Sequence, residues 1–381
     1  MTHRASMIVL ALNSGSSSFK LGLFRVQSAH VEELSATTIA NISTGGAVEL
    51  IHELLAKPGL PRPDAIGHRI VHGGPELRHH CLLSAQVVQQ LESAVGFAPL
   101  HMPAALSFIR FTQAQFSDLP QVACIDTCFH ANLPDVARVL PLAKELQQKG
   151  VQRFGFHGLS CESIVHGIGR NLPDRVVIAH LGNGASVTAV KHGKSIDTSM
   201  GLTPTGGVVM GTRSGDLDPG VLLYLMRELE FDAARLAELL DHRSGLLGIS
   251  GISSDLRQLH KATFHSSDAR LAIQIFCYSV GKQIASMIAA LDGIDLLVFT
   301  GGIGENDAQV RIDICSHLSW IGVRLDEDRN QTGESPINTV ASRCKVRIMA
   351  SQEDEQIARH TFSIAADHRG VAAEVQRQMR L

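Results

Sequence analysis

The chain writes one motif twice, and that repetition constrains its fold more than any other feature. Near the middle, the apolar run Val176-Val177-Ile178-Ala179 turns through His180-Leu181-Gly182-Asn183-Gly184 and resumes as an alternating segment, Ala185-Ser186-Val187-Thr188-Ala189-Val190. This spacing predicts a β-hairpin with a glycine- and asparagine-rich tip. Near the N-terminus, Ile8–Leu12 leads into Asn13-Ser14-Gly15-Ser16-Ser17-Ser18 and then Phe19-Lys20-Leu21-Gly22-Leu23-Phe24, so that Leu12-Asn13-Ser14-Gly15-Ser16-Ser17 lies over Leu181–Ser186. Glycine accepts positive φ and lets backbone N–H groups come close to an anion. One such hairpin alone reads as a bare turn. Two, one opening each half, predict a duplicated architecture with two phosphate loops.

That ground plan resembles the sugar kinase, actin and chaperone-ATPase superfamily. The expectation is an α/β chain in which a ribonuclease H-like, actin-like fold occurs twice, with a central cleft. A length of 381 residues suffices for two cores. The crossover is expected near Gly150–Phe156. Residues 1–152 then form an N-terminal domain against which a C-terminal helix over 355–381 packs back, and residues 153–354 form a nucleotide-binding domain.

Charge and composition exclude several classes. Lys and Arg number 34 against 37 acidic residues, so no basic field for nucleic acid is present, and one Trp and two Tyr offer little for base stacking. Six of the seven cysteines (Cys124, Cys128, Cys161, Cys277, Cys315 and Cys344) sit mostly in apolar segments, as expected for reduced buried thiols in a cytoplasmic protein. Cys81 follows His79-His80 and could be a metal ligand, but no second ligand pair at zinc spacing accompanies it, so it reads as a solvated surface cluster. Met1–Met7 lacks the apolar core and cleavage site of a secretory leader. The most apolar long segment, Leu271–Leu291, carries Gln274, Lys282 and Gln283 and reads as a buried helix with no membrane role.

Along the chain, Val31–Ser43 is expected as a further strand pair, and Ala65–His72 and Gln121–Ile125 as strands, the last with Asp126 at its end. Gly201–Gly220 is an ordered loop carrying Arg213, Asp216 and Asp218. Leu296–Thr300 is a buried strand running into a third glycine turn, Gly301–Asn306, and the tail from Asp367 is expected to fray. No G-x-G-x-x-G dinucleotide fingerprint and no G-x-x-x-x-G-K-[ST] loop is present, so any nucleotide site is of the actin-like kind.

The resemblance then becomes specific. Asn13-Ser14-Gly15-Ser16-Ser17-Ser18-Phe19-Lys20 and Met200–Pro204 through Met210–Pro219 are similar to the two signatures of the acetate kinase family. Gly67–Gly74, Pro99-Leu100-His101, Asp126-Thr127, Phe154–Gly158, Ser253–Arg257 and Phe299–Asn306 follow in the family's order, over nearly the whole chain. The family transfers phosphate between ATP and a short carboxylate, giving ADP and an acyl phosphate, with Mg²⁺ (or Mn²⁺), and is homodimeric, with the apolar helix Leu271–Leu291 expected to form part of that interface. Such an acceptor is already an anion and needs no general base. Positioning and fixed positive charge should do the work.

By this resemblance Arg69 holds the carboxylate, with a structural salt bridge as its alternative. Arg213 clamps the equatorial phosphoryl oxygens, unless it merely pairs with Asp216 or Asp218. His157 is a second stabiliser of that charge, or a buried structural histidine. Asp126 belongs to the site, orienting metal-bound water or Arg213. Asn13 and Glu353 are implied as metal residues, although Ser351-Gln352-Glu353 departs from the family's Thr-Asn-Glu and Asp354 and Glu355 stand beside it. His180, Leu181, Gly182, Asn183 and Gly184 are implied at the phosphates, with Lys20 at the outer one. Asp255, Leu256 and Arg257 are implied at ribose and base, and Gly302, Ile303, Gly304, Glu305 and Asn306 at the adenosine end. Val71, Leu100, Phe156 and Pro204 line the acyl pocket or are simply core. Met102, Leu159, Cys161, Cys128 and Thr205-Gly206 depart from the family pattern beside the site. Acetate, propionate and butyrate stay open as acceptors, and a non-catalytic actin-like switch is the rival reading.

Overall fold

A computed structural model of the chain describes residues 6–15, 18–28, 30–40 and 44–378. Ser16 and Ser17 of the first glycine turn, Ser43 and residues 379–381 lie outside the described residues. The chain divides into two compact units, one comprising Met1–Ala131, Gly158–Ser163 and Gln352–Leu381, the other Asn132–His157 and Ile164–Ser351.

In the first unit six strands form one sheet: β1 (Met7–Ser14), β2 (Ser18–Gln27), β3 (His30–Ala40), β4 (Ala65–Ile70), β5 (Cys81–Leu82) and β6 (Gln121–Ile125), in the order β3-β2-β1-β4-β6-β5. The pairs β1–β2 and β2–β3 are antiparallel, and β1–β4 and β4–β6 are parallel. Strand β1 is apolar from Met7 to Leu12 because both its faces are covered. Leu10 and Leu12 point into a core with Phe19, Leu21, Leu23, Ile51, Leu54 and Phe108. Val9 and Ala11 point into another with Ile357, Ala358 and Ala365 of the helix Glu353–Gln378.

The second unit builds a sheet from β7 (Arg175–Leu181), β8 (Ala185–Lys191), β9 (Lys194–Thr198), β10 (Leu296–Thr300) and β11 (Lys345–Ile348), in the order β9-β8-β7-β10-β11. Again the pairs among β7, β8 and β9 are antiparallel and those of β10 with β7 and β11 parallel. Strand for strand this repeats β3-β2-β1-β4-β6, so the fold is the duplicated actin-like α/β architecture. The helix Ser267–Leu291 is long and apolar enough, by length and composition, to cross a membrane. Here it packs across β7, β8 and β9 with Phe276, Val280, Ile284 and Leu291 buried.

Four local expectations change. Segment Val31–Ser43 is not a strand pair of its own: its described part is the single strand β3, whose partner is β2. The C-terminal helix does not fray from Asp367 but runs to Gln378, through good helix formers such as Ala372, Ala373, Glu374 and Gln376. Residues 132–152, expected in the first domain, group with the second unit. There Arg153 binds the carbonyls of Ala137 (2.9 Å) and Thr198 (2.7 Å), tying the short helix Asp135–Arg138 to β9.

Finally, Gly301–Asn306 is a short helix, not a turn. It starts at Gly301 with φ +77°, where a Cβ would stand 2.7 Å from the Leu181 carbonyl oxygen. Left-handed backbone costs a non-glycine residue roughly 1–2 kcal/mol before any overlap. Gly301→Ala is therefore expected to lower stability by more than about 2 kcal/mol, read from urea midpoints. A loss below half that would show that β7 and this helix are not held in close contact.

Candidate active site

In the first unit, four elements deliver polar side chains to one point. Asn13 comes from the end of β1, Arg69 from β4, Asp126 follows β6, and Glu353 and Asp354 stand in the first turn of the C-terminal helix. Arg69 donates through Nε (2.9 Å) and Nη2 (2.7 Å) to Asp126 Oδ2, and through Nη1 to Asn13 Oδ1 (3.0 Å). Its Nη1 also lies 3.4 Å from Glu353 Oε2. Asn13 Nδ2 donates to Glu353 Oε2 at 3.1 Å and to Asp354 Oδ1 at 2.6 Å. Asp354, which the sequence offered only as a neighbour of Glu353, thus joins the cluster. Glu355 pairs instead with Arg359. Lys20 faces Asn13 across the β1–β2 ladder, and its charge acts on Asp354.

Three carboxylates therefore surround one guanidinium. Burial would lower the Arg69 pKa, but Asp126 and Glu353 overcome it and hold the side chain charged. Burial pushes the Asp126 carboxyl up to about 6, the Glu353 charge adding to the rise and Arg69 opposing it. Such a group binds its proton more tightly when folded. Its contribution to stability is full below the ordinary value of 3.8 and is lost as pH rises through about 6. Asp126→Asn removes this loss. Its stability relative to wild type is expected to improve by about 2 kcal/mol between pH 4 and pH 7, whatever the offset at pH 4. Parallel urea-stability curves across that window would contradict it.

A magnesium ion is implied by the resemblance, and the residues present suit one. The donors are all hard oxygens, the carboxylates exceed the guanidinium in charge, and Asp126 Oδ1 is buried with no hydrogen-bond partner among the described residues. Asn13, Asp126, Glu353 and Asp354 would hold it, directly or through water.

In the second unit, β7 and β8 form the expected hairpin, closed at Gly182–Gly184 by a 3.0 Å hydrogen bond from Gly182 N–H to the Gly184 carbonyl. The His157 ring stacks on His180 with centroids 4.2 Å apart, and its Nδ1 lies 2.9 Å from Ser186 Oγ on β8. Ser186 was not foreseen. The signal available was its register opposite His180. A Cβ built on Gly184 would stand 3.4 Å from both His157 Nε2 and Arg213 Nη1, so an imidazole and a guanidinium converge on the hairpin.

Arg213 is buried and donates through Nη1 to the neutral Pro204 carbonyl (3.3 Å). Burial lowers its pKa, opposed only by the field of Asp241. The pairing with Asp216 or Asp218 considered from sequence does not form. Asp216 accepts from Gly207 N–H, and Asp218 caps the helix Pro219–Glu228. Among the described residues no carboxylate lies within ion-pair distance of this guanidinium.

The remaining residues are placed as follows. Asp255 caps the helix Leu256–Ala262 and pairs with Arg257, whose side chain is 88% exposed, while Leu256 is buried. Glu305 turns inward, accepting from Gly301 N–H (2.9 Å) and Ser351 N–H (3.2 Å). Asn306 binds the Gly302 carbonyl within its own helix, and Ile303 and Gly304 complete that helix. Beside it opens a polar cavity of about 430 Å³ lined by His260, Glu305, Asn306, Arg311, Gln331 and Thr332. Of the four acyl-pocket candidates, Val71 and Leu100 lie in the first unit and Phe156 and Pro204 in the second. Leu100 is 46% exposed, the other three buried.

Duplicated actin-like sheets, an acidic cluster of oxygen donors and a glycine hairpin approached by Arg213 and His157 mark a phosphotransferase of actin-like fold. The chain belongs to the acetokinase family, whose profile matches residues 46–359. An acetate kinase of Rickettsia typhi is 36% identical over 377 residues, covering 92% of this chain and 97% of the relative. The crystal structure of a propionate kinase from Francisella tularensis superimposes with a TM-score of 0.85 at 36% identity, over 94% of this chain and 100% of that one. That of an acetate kinase from Porphyromonas gingivalis does so with a TM-score of 0.83 at 34% identity, over 94% and 99%.

Proposed function

We propose that this chain transfers the γ-phosphoryl group of ATP reversibly to acetate, giving acetyl phosphate and ADP. One carboxylate oxygen forms a bond to the γ-phosphorus in line. The bond to the β,γ-bridging oxygen breaks, and its electron pair leaves with ADP. No proton moves, and five negative charges stand on each side. Arg69 uses three of its five N–H groups within its cluster and has capacity left for the acceptor. Arg213 and His157 stabilise charge on the transferring group, and the hairpin His180–Gly184 with Lys20 takes the other phosphates. Asp126 holds the Arg69 fork. A bound Mg²⁺, or Mn²⁺ in its place, would supply charge neutralisation at the phosphates from Asn13, Asp126, Glu353 and Asp354.

The observation that carries this reading is Arg213, a buried guanidinium beside a glycine hairpin with no acid in ion-pair reach among the described residues. Coupled ADP formation with acetate, propionate and butyrate tests it. Equal rates with and without carboxylate would refute it and favour a nucleotide switch. A propionate preference is the second reading, favoured by the structural likeness to a propionate kinase. One methylene in an apolar pocket is worth only about 1–3 kcal/mol.

We also propose a cytoplasmic homodimer. All seven cysteines are free thiols. The helix Pro219–Glu228 buries none of its residues and exposes Val221, Leu223, Tyr224 and Met226, which favours it over the core helix Ser267–Leu291 as the contact face. Leu223→Glu should give monomers by light scattering, and a dimer surviving that change would move the interface elsewhere.

A further inference from the structure

One polar cluster in the first unit has no part in the proposed chemistry. His80 precedes β5, Glu162 lies on the helix Gly158–Ile168, and His360 lies on the C-terminal helix. His360 Nε2 stands 2.6 Å from Glu162 Oε2 and 3.0 Å from the Gln356 amide, and His80 Nε2 is 3.6 Å from the same carboxylate oxygen. The two imidazole centroids are 3.8 Å apart. The sequence set His79-His80-Cys81 aside because a second ligand pair was missing, and the fold brings one. The three ligand atoms lie within 4.8 Å of one another, close enough for a metal ion.

The tautomer argues against a metal. The Ile125 backbone N–H donates to His80 Nδ1 at 2.9 Å. In the neutral ring Nε2 must then carry the proton, so the lone pair a metal needs is absent. In metal-bound histidines the far nitrogen instead donates. His80 Nε2 is thus a buried N–H that makes no hydrogen bond among the described residues and meets Glu162 only at 3.6 Å, in ion-pair range. Burial alone would raise the Glu162 carboxyl, but the two histidines outweigh it and lower it to about 2, so it stays an anion.

What the carboxylate joins is more telling. Ile125, held by His80, immediately precedes Asp126. The Asp126 carbonyl accepts from Gly158 N–H at 2.9 Å, at the start of the helix that carries Glu162. That approach requires glycine, since a Cβ on Gly158 would stand 2.1 Å from the same oxygen. His360 follows Glu353 by two helical turns and so shares its face. One carboxylate therefore fixes the strand end bearing Asp126 and the axial register of the helix bearing Glu353.

We propose that Glu162 is a positioning residue, which through His80 and His360 holds Asp126 and Glu353 in register around Arg69. The inference rests on the function proposed above. Residues behind a metal-binding shell are worth about 10–100-fold in activity or metal affinity. Glu162→Ala should lower kcat by about tenfold or more and raise the apparent Mg²⁺ activation constant, while KM for ATP stays within about twofold. Glu162→Gln, whose remaining oxygen still accepts from His360 and faces His80, should restore most of the loss.

Amide hydrogen exchange supplies a readout independent of turnover. In Glu162→Ala, exchange should quicken at residues 123–127 and 353–357 and stay unchanged at 176–190. If that variant does not fold, Glu162→Asp, with its carboxylate drawn back by one methylene, should give the same two-segment pattern. Wild-type exchange in both segments, or a uniform rise along the chain, overturns the proposal. So does stoichiometric Zn²⁺ binding to the wild type that His360→Ala abolishes. A wild type inactive on every carboxylate would refute the function and leave the exchange result standing.

Discussion

Arg213→Ala is expected to lower turnover by about 10³-fold or more, with the apparent affinity for ATP changed less than about threefold. The guanidinium is buried, its pKa is lowered by that burial, and it donates to a neutral carbonyl where an acid would be expected. A charge held so is repaid when negative charge develops on the transferring group, and little before. The same logic gives a stability signature. Arg213→Met, which keeps the volume and removes an uncompensated charge, should be at least as stable as wild type. Arg213→Lys should fall between, since a point charge replaces a planar fork. A variant that kept most of its turnover, or lost stability in proportion to its activity, would reduce Arg213 to a structural residue.

The other arginine should behave in the opposite way. Arg69→Ala leaves Asp126, Glu353 and Asp354 together in a buried site without the guanidinium that Asp126 and Asn13 grip. Removing one partner of a buried ion pair costs about 3–5 kcal/mol, and that loss is expected here at neutral pH. Millimolar Mg²⁺ should recover part of it, because a divalent cation suits the same three carboxylates. Urea denaturation with and without the ion measures both effects. A loss below about 1 kcal/mol would mean that the acids are held by something other than Arg69.

The contrast between the arginines was not legible in the chain. Both stand in family motifs, and for each the sequence left a salt bridge open as the alternative. Arg69 forms its bridge and Arg213 does not. Asp216 and Asp218, only three and five residues beyond Arg213, serve a backbone N–H and a helix N-terminus instead. Sequence proximity does not set side-chain direction in a loop without periodicity. Glu305 shows the same limit: it sits in a nucleotide motif, yet its carboxylate closes the backbone at Gly301 and Ser351. The fold was easier to read. Strand β1 and hairpin β7–β8 carry their signals within a dozen residues, where apolar runs, glycine turns and two-residue alternation are local properties.

The amino-acid order by itself determined the repeated strand–turn–strand units, hence the duplicated actin-like sheets, and through its ordered motifs the acetokinase family. Both follow from local backbone preference and short-range patterning. Only the tertiary structure decided which charges meet. Asn13 reaches Glu353 across 340 residues, and His360 reaches Glu162 across 198. Such pairs form because parallel strands and a returning C-terminal helix bring residues far apart in the chain together beside one sheet, and no local pattern encodes that meeting.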